Sequence, residues 1–492
     1  MHRFLRRCGQ GRFFYAALLL LLSTGSGMAA AGEEVSLAGA VRMAPGRDWP
    51  AFLGPTSDGK STETGILTTW DESGPPLLWH AAVGEGYAAP SISDGRLFLF
   101  DRHDNFMRLT ALDAASGREL WRSQYATNYE DMYGFSNGPR AAPTIHGDLV
   151  YTHGAGGRIR CHQATTGDLV WEVDTVATFG VVQNFFGAGS VPMVEGDLLI
   201  AAVGGSPTDS PGIMSGKVTS NGSGIVAFDR RTGKVRYRSS EALASYSSPI
   251  FTTIGERRWG FLLARGGLLG FEPATGKIDF SFPFRARKLE TVNAANPVLV
   301  NDTVFITESY GPGSAVLKVR PGGYEIIRQD TSPRNQSMSS HFMTPIYHEG
   351  YLYGSSGQGS GEAALRAVDY TSGKIMWSES GLGRTTLLYA DGHLLVFTER
   401  GDLLLVKATP ENFMVVARGT PILPGNRKPG LSGRPAGEKT SAQQQSDTTA
   451  TPEARRLLRY PAWSPPVLSH GSLYLRAEGR LAAFRLIPPA GS

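Results

Sequence analysis

One pattern of about 50 residues recurs eight times along this chain of 492 residues. Each copy has a short apolar run, then a turn rich in Gly, Asp and Asn, then a second run rich in β-branched and aromatic residues. A proline opens most copies. The opening residues are Pro90, Pro143, Pro192, Pro249, Pro297, Pro345, Leu388 and Pro466. A repeat of this length is typical of the blades of a β-propeller.

Two hairpin turns occur in most copies. The first copy shows them as Asp94-Gly95 and Ser116-Gly117. These residue types tolerate the positive φ that tight hairpin turns need. Two hairpins give four strands, and a four-stranded sheet cannot bury both faces unless it packs on a neighbour. The sequence therefore predicts an all-β fold, a β-propeller of four-stranded blades.

The two ends of the repeat region complement each other. Residues 464–486 supply the opening strands of a copy that has no closing strand, whereas residues 77–83 resemble a closing strand that has no opening strands. We predict that residues 77–83 pair beside residues 481–486. This pairing would close an eight-bladed ring and leave no long free edge.

Two other architectures remain open at this point. The fifth and seventh copies lack the closing Gly-x-x-x-Trp phrase. If one of them were not a true blade, the ring would have seven blades. An open solenoid agrees less well with the matching half-copies at the two ends.

The aromatic residue that closes a copy is interpreted as packing between blades rather than as part of a site, because stacked tryptophans in repeats usually belong to the core. These residues are Trp121, Trp171, Tyr237, Phe280 and Trp377. The nearby Asp113, Asp229 and Asp369 are expected to brace turns and not to bind a metal.

Residues 1–31 have the pattern of a secretory signal peptide. Four arginines precede an apolar run over residues 13–22, and Ala29-Ala30-Ala31 offers small residues for cleavage. A membrane anchor is the alternative, although the run is short for a span. No cysteine follows the run directly, so we expect an exported protein, periplasmic or extracellular, that is not a lipoprotein and has no transmembrane segment in its mature chain.

Charge and cysteine content exclude several function classes. The chain has 48 basic and 44 acidic residues, and removing the four arginines of residues 1–31 leaves the two numbers equal. We expect no nucleic-acid binding, because no basic field or basic-aromatic tract remains. Cys161 is the one cysteine after residue 31. An internal disulfide is therefore excluded, a zinc site has no support, and we expect a monomer.

The chain divides into a signal peptide (1–31), an N-terminal lead-in (32–76), the propeller (77–486) and a short tail (487–492). Residues 419–456 are rich in Pro, Gly, Ser, Thr and Gln. Such a composition lacks the apolar residues that offset the entropy of ordering, and it predicts a flexible insertion between the seventh and eighth blades. A smaller Gly, Ser and Pro insertion covers residues 206–223.

The phrase Ala-x-Asp-x-x-Thr-Gly-x-x-x-Trp resembles the tryptophan-docking motif of the exported bacterial PQQ-binding-like (quinoprotein alcohol dehydrogenase-like) β-propeller repeat family. It occurs in related forms over residues 111–121, 164–171 and 367–377. The opening residues 48–55, followed by Asp58-Gly59, are similar to the family's lead-in. The resemblance covers residues 48–486. It implies a fold more than a function, since the family includes dehydrogenases, an outer-membrane assembly scaffold and many uncharacterised exported proteins.

Two functions follow from this reading. The first is an exported, non-catalytic binding or scaffold module for a protein, peptide or polar ligand, with no catalytic residue, metal or cofactor; recognition of a sugar or peptide would use the same residues. The alternative is a PQQ-dependent quinoprotein dehydrogenase that oxidises an alcohol or sugar. The resemblance then implies a calcium ion, a catalytic carboxylate and a disulfide between adjacent cysteines. This chain has no adjacent cysteines and no Cys-x-x-Cys-His haem site.

The connections that enter the first strand of each blade are the best candidates for a binding site, because propellers bind ligands at the mouth of the central channel. Polar and aromatic side chains recur there and suit a polar ligand or an extended peptide. We predict ligand contacts at Arg140, Tyr246, Asn293, His341 and Arg384. Ordinary capping and packing of loops is the alternative explanation for these residues.

Overall fold

Eight four-stranded antiparallel sheets follow one another along the chain and form the eight blades of a propeller. The computed structural model describes residues 43–182, 185–207, 220–287, 292–424 and 455–489. The predicted signal peptide, most of the insertion over 419–456 and the end of the tail lie outside the described residues. The eight-bladed prediction is confirmed, and the seven-bladed and solenoid alternatives are wrong.

The strands of a blade pair in chain order, from the first strand to the fourth. In blades 1 to 4 the strands are Ser91–Ser93, Arg96–His103, Phe106–Asp113 and Glu119–Ala126; Thr144–His146, Leu149–His153, Arg158–Gln163 and Leu169–Asp174; Met193–Glu195, Leu198–Ala201, Ile225–Asp229 and Val235–Ser239; and Ile250–Ile254, Arg257–Ala264, Gly267–Phe271 and Ile278–Pro283.

Blades 5 to 7 repeat this arrangement, and blade 8 combines strands from both ends of the chain. The strands are Val298–Val300, Thr303–Glu308, Gly313–Arg320 and Gly323–Gln329; Ile346–His348, Tyr351–Ser356, Ala364–Asp369 and Ile375–Ser380; Thr385–Ala390, His393–Thr398, Leu403–Lys407 and Val415–Gly419; and Val467–Ser469, Ser472–Ala477, Arg480–Arg485 and Leu77–Ala82.

One short helix, Thr175–Phe179, and one two-stranded ribbon, Val181–Val182 with Ser206–Pro207, lie outside the blades. Asp174 caps the helix by accepting a hydrogen bond from the backbone N–H of Ala177 at 3.0 Å. No helix among the described residues has the length and apolar character needed to cross a membrane.

The ring closes as predicted. Strand Leu77–Ala82 pairs antiparallel with Arg480–Arg485, so that Trp79 stands opposite Ala483. A single core cluster joins Trp79 to residues of blades 7 and 8 and to Trp49 of the lead-in. The two ends of the propeller thus belong to one sheet and one core, which leaves no long edge at the point of closure.

Indole side chains join neighbouring blades. The ring N–H of each donates to a backbone carbonyl of the next blade, in the pairs Trp79 with Ala114 (3.0 Å), Trp121 with Ala164 (3.1 Å), Trp171 with Arg230 (3.0 Å) and Trp377 with Thr409 (2.9 Å). Gly117 has φ +74°, and a Cβ there would lie 2.7 Å from the Trp79 ring. Glycine is therefore required at this turn both for its backbone conformation and for the close approach of the indole. The prediction of packing between blades is confirmed.

The fifth and seventh blades use other residues at the same boundary. Arg328 stands opposite Val316, the register position that tryptophan occupies elsewhere, and donates to the Ser337 hydroxyl at 2.6 Å. Ala417 takes the equivalent position in blade 7, opposite Leu405. The missing tryptophans of these copies reflect a different contact and not a missing blade.

A fully buried arginine strengthens the boundary where the ring closes. Arg476, in blade 8, donates to four backbone carbonyls at the start of blade 1: those of Ala88, Phe100 (2.9 Å), Gly84 (3.3 Å) and Glu85 (3.4 Å). Burial lowers the pKa of its guanidinium to about 10, so it remains charged at neutral pH. The Glu85 carbonyl also accepts the backbone N–H of Arg102 at 3.0 Å. Loss of the guanidinium would remove a donor from all four carbonyls inside the protein.

The part of the lead-in that the structure describes crosses one side of the ring. It runs along the ends of first strands and the turns that follow them. Its contacts with blades 1, 2, 7 and 8 are Trp49 with Ile92, Pro50 with Ile145, Lys60 with Tyr389, and Glu63 with the His470-Gly471 turn. This segment therefore lies opposite the connections that enter the first strands.

Blade 2 buries two histidines as neutral side chains. His153 Nδ1 donates to the Ser190 carbonyl at 3.1 Å, and burial lowers the pKa of His153 to about 4. Burial, together with the charge of Arg160, lowers the pKa of His162 to about 3. Low pH therefore decreases the free energy of unfolding through these two histidines.

We predict that Arg476→Met lowers the free energy of unfolding by about 3 kcal/mol or more, because it leaves buried carbonyls without a donor. Urea denaturation measures this change. Arg480→Met, on the neighbouring strand of the same blade and only half-buried, is the matched control and should cost far less. Equal losses in the two variants would contradict the role given to Arg476.

We also predict a loss of stability as the pH falls below about 6.5, because His153 and His162 bind protons in the unfolded state that they do not bind in the folded state. The loss is about 1.4 kcal/mol per pH unit for each histidine, from about pH 6.5 down to the folded pKa. His162→Gln should make the slope shallower in urea titrations across this range. A slope in His162→Gln identical to that of the unsubstituted protein would refute the assignment.

Candidate functional site

The connections that enter the first strands surround one cavity of about 750 Å³. We call this cavity the funnel. Phe52 and Leu53 of the lead-in contribute to its wall on the side that the lead-in crosses. The connections supply most of the remaining wall and its mouth, and Tyr310, Gln358 and Glu362 are contributed by the turns between the second and third strands of blades 5 and 6. The volume is in the range of pockets that take a small ligand or a peptide segment.

Aromatic rings from six connections line the funnel. We call them the aromatic belt: Tyr87, Phe135, Phe186, Tyr246, Phe342 and Trp463. Trp463 is central, with ring centroids at 4.9 Å from Tyr87, 5.8 Å from Phe342 and 6.3 Å from Phe135. Phe186 extends the belt, at 5.9 Å from Phe135 and 5.8 Å from Tyr246. These separations are those of interacting aromatic pairs, so the belt is a continuous apolar surface.

Four of the five predicted contact residues line this funnel: Arg140, Tyr246, His341 and Arg384. Asn293 does not. Its side chain is buried, and Nδ2 donates to the Ala264 carbonyl at 2.8 Å. Its backbone carbonyl accepts from Tyr246 and Ser247. Asn293 therefore has the packing role that was the alternative for these residues. Ligand binding by the other four stays a prediction.

Arg384 is neutralised within the funnel wall. Its Nε lies 3.0 Å from Glu399 Oε2, and its backbone N–H donates to Oε1 at 3.1 Å. Burial alone would raise the pKa of Glu399, but its hydrogen bond with Ser360 and the charge of Arg384 hold that pKa below its usual value. The guanidinium carbon also lies 4.6 Å from the centroid of Trp463. Arg384 thus holds the tryptophan in place as a paired and stacked cation.

Arg140 has a similar buried partner. Its Nη2 contacts the carboxylate of Asp131, whose other oxygen accepts the backbone N–H groups of Tyr133 (3.0 Å) and Phe135 (3.2 Å). The hydroxyl of Tyr87 donates to the Phe135 carbonyl at 2.7 Å. The ion pair and these hydrogen bonds shape the connection over residues 127–140, which presents its aromatic side chains at the mouth.

The titratable rings of the wall are neutral at neutral pH. Burial, and secondarily the charge of Arg384, lowers the pKa of His341 to about 4; its Nε2 lies 3.0 Å from the Tyr310 hydroxyl. Burial raises the pKa of Tyr87 and Tyr246. Among the described residues of the wall, Glu362, which is exposed, carries a charge without an ion-pair partner.

Apolar surface continues outward from the mouth. The connections that enter blades 2 and 8 expose large apolar side chains there: Met132 (56% exposed), Tyr133 (41%), Phe135 (56%) and Tyr460 (51%). Tyr460 and Trp463 are in ring contact at 5.8 Å, which joins this outer surface to the aromatic belt. Exposed apolar surface of this kind, with a polar surround, marks interaction sites.

The funnel does not match the cofactor site that the family resemblance implies. Nowhere in the described ranges do three or more His, Cys, Asp or Glu side chains come together in a way that could hold a metal ion. The carboxylates closest to the funnel arginines, Asp131 and Glu399, are already engaged by Arg140 and Arg384. The described residues therefore do not fit a calcium-bound quinone.

The connections singled out by the sequence do line the funnel, but several residues that build its wall were not predicted. Asp131 lies in the same connection as its partner Arg140, and Glu399 follows its partner Arg384 after the next hairpin. No sequence pattern marked either carboxylate as an ion-pair partner. Phe52 and Leu53 gave no signal, because a lead-in carries no repeat. The sequence does contain a pattern that indicates the aromatic belt, because six of the eight entering connections carry an aromatic residue.

The comparisons with known proteins agree with the fold. The family model described as outer membrane protein assembly factor BamB matches residues 53–208 and 218–410. BamB from Shewanella oneidensis is 21% identical over 326 residues, which are 64% of this chain and 73% of that protein. The dehydrogenase subunit of a quinone alcohol dehydrogenase from Acetobacter aceti is 30% identical over 156 residues, which are 31% of this chain and 19% of that protein.

Solved structures give the same result. BamB from Moraxella catarrhalis superposes with a TM-score of 0.51 at 12% identity, covering 83% of this chain and 98% of that one. Quinohemoprotein alcohol dehydrogenase from Comamonas testosteroni gives a TM-score of 0.59 at 13% identity, covering 90% and 82%. At such identities the likeness shows the shared propeller and not a shared function. Because the BamB model matches most of the chain, the protein belongs to this family of PQQ-like β-propellers, as its repeats predicted.

Proposed function

We propose that this protein is a non-catalytic binding module whose funnel and mouth bind a protein partner. One observation carries the proposal: an apolar, aromatic-walled funnel that opens through exposed Met132, Tyr133, Phe135 and Tyr460. Tryptophan, tyrosine and arginine are the residue types that dominate binding energy at protein interfaces. The wall combines all three.

The funnel wall is ordered before any ligand arrives. Arg384 is fixed by Glu399 and Trp463, and Phe135 is fixed by Asp131 and the Tyr87 hydroxyl. Binding to a surface that is already ordered loses less side-chain entropy than binding to a mobile one. This arrangement supports recognition and supplies no group set up for proton transfer or nucleophilic attack.

The likeness to BamB supports the same proposal. A protein named as an assembly factor acts through contacts with other proteins, and the match to BamB from Shewanella oneidensis covers 73% of that protein. We further propose that the protein acts outside the cytoplasm, in the periplasm or beyond it. The basic and apolar pattern of residues 1–31 and the exported family support this location. A monomer and the absence of nucleic-acid binding remain predictions.

A photo-crosslinking experiment tests the proposed function. The full chain is produced in its native host with p-benzoylphenylalanine at position 135 or 460, irradiated, and its adducts are identified by mass spectrometry. We expect the same discrete protein adduct from both positions. Leu169, an exposed apolar residue (48%) on the fourth strand of blade 2, is the matched control position and should give none. Equal adducts from position 169, or none from the mouth, would contradict the proposal.

Dehydrogenase activity is the second candidate, since part of the chain is 30% identical to a quinone alcohol dehydrogenase. We predict no dye reduction when the purified protein is incubated with the quinone, calcium and a panel of alcohols and sugars, because the described funnel lacks a cation-ligand set. Quinone alone with substrate and dye gives the background. Turnover above that background would contradict the non-catalytic proposal and support a quinone-dependent dehydrogenase.

A further inference from the structure

We infer that the funnel takes an uncharged segment of a partner's polypeptide chain that carries an aromatic side chain, and that this segment enters and leaves by the same mouth. This inference rests on the proposed function and specifies the chemistry of the partner. Three features of the funnel lead to it: its charge balance, the extent of its apolar surface and its position over the lead-in.

The charge balance excludes a charged insert. Both wall cations are paired with buried carboxylates, Arg140 with Asp131 and Arg384 with Glu399. His341 is neutral, because burial holds its pKa near 4. A carboxylate inside the funnel would lose its water without meeting a free countercharge. An ammonium group would meet only Glu362, which is exposed to water and therefore offers little compensation. Uncharged apolar groups do not have this desolvation cost when they enter the funnel.

The wall composition favours an aromatic insert. The rings of the aromatic belt offer both faces and edges within one connected layer, as the contacts of Trp463 with Tyr87 and Phe342 show. An additional ring in such a layer gains aromatic contacts beyond its burial. Gln358 and Thr344 add neutral polar side chains to the wall, which suit the amide groups of a peptide backbone.

The extent of the apolar surface favours a polypeptide over a small molecule. A compound that filled the funnel would leave Met132 and Tyr460 in water at the mouth, where each is more than half exposed. A partner chain covers the mouth while its segment fills the funnel. Burial of both surfaces together gives the fully desolvated centre that interface hot spots require.

The lead-in limits how the partner's segment can enter and leave the funnel. Residues 49–53 cross the side of the ring opposite the mouth, and Phe52 and Leu53 form part of the funnel wall there. A chain cannot thread through the ring past this segment. The partner must therefore offer a loop or a chain end and not an internal stretch drawn through the channel.

Isothermal titration of the purified full chain with synthetic peptides tests this inference. The probe is an acetylated and amidated Gly-Ser-Phe-Gly-Phe-Ser-Gly peptide, and the matched peptides carry Asp or Lys in place of both Phe residues. We expect the Phe peptide to bind and both charged peptides to bind at least about tenfold more weakly. Since no charge is involved, added salt should change the affinity for the Phe peptide by less than about twofold.

Protein variants locate the binding. Phe135→Ala removes an exposed ring of the belt, so it should weaken the Phe peptide about tenfold while leaving the melting temperature unchanged. Leu169→Ala, also at an exposed apolar position, should change neither. Trp463→Ala provides a second variant from a different connection, with circular dichroism to confirm its fold.

Each other outcome overturns the inference in a defined way. Tighter binding of the Asp or Lys peptide would show that the funnel selects charge. Binding of an uncharged oligosaccharide such as maltoheptaose, with no binding of the Phe peptide, would point to a sugar site. If adducts form at positions 135 and 460 but no Phe peptide binds, the chemistry inferred here fails while the proposed function stands. If neither occurs, both fail.

Discussion

The docking of an aromatic side chain across most blade boundaries is the interaction on which the rest of the structure depends. A four-stranded sheet has two faces to bury, and here each face is covered by the neighbouring blade. Trp79, Trp121, Trp171 and Trp377 make this contact with an indole N–H that reaches a carbonyl of the next blade. Trp79 is the most consequential, because it belongs to the strand that closes the ring.

Closure of the ring places eight connections around one axis and so creates the funnel. No single blade carries the site, since the aromatic belt draws its six rings from six connections. The two ion pairs of the wall leave the funnel without free positive charge, and the stacked Arg384 fixes Trp463. The apolar, charge-paired wall of the funnel is thus a direct result of how the ring is assembled.

Repetition made the fold predictable. Most copies signal their own turns and docking residue, so that weak patterns reinforce one another, and the half-copies at the ends predicted the closure. The site was less predictable, because its contacts join segments far apart in sequence. Tyr246 and Arg384 were predicted from their connections and line the funnel, but nothing in the sequence distinguished them from Asn293, which packs against Ala264 instead. The lead-in carries no repeat, so Phe52 gave no indication that it reaches the funnel.

Hydrogen–deuterium exchange of the protein, free and bound to its crosslinked partner, tests the central claim most directly, namely that partner recognition occurs at the mouth of the funnel. The account predicts slower exchange in the partner-bound protein over the connections that contain Phe135 and Trp463, and no change over the fourth strand of blade 2, Leu169–Asp174. Protection confined to the fourth strands, or to the side that the lead-in crosses, would contradict it.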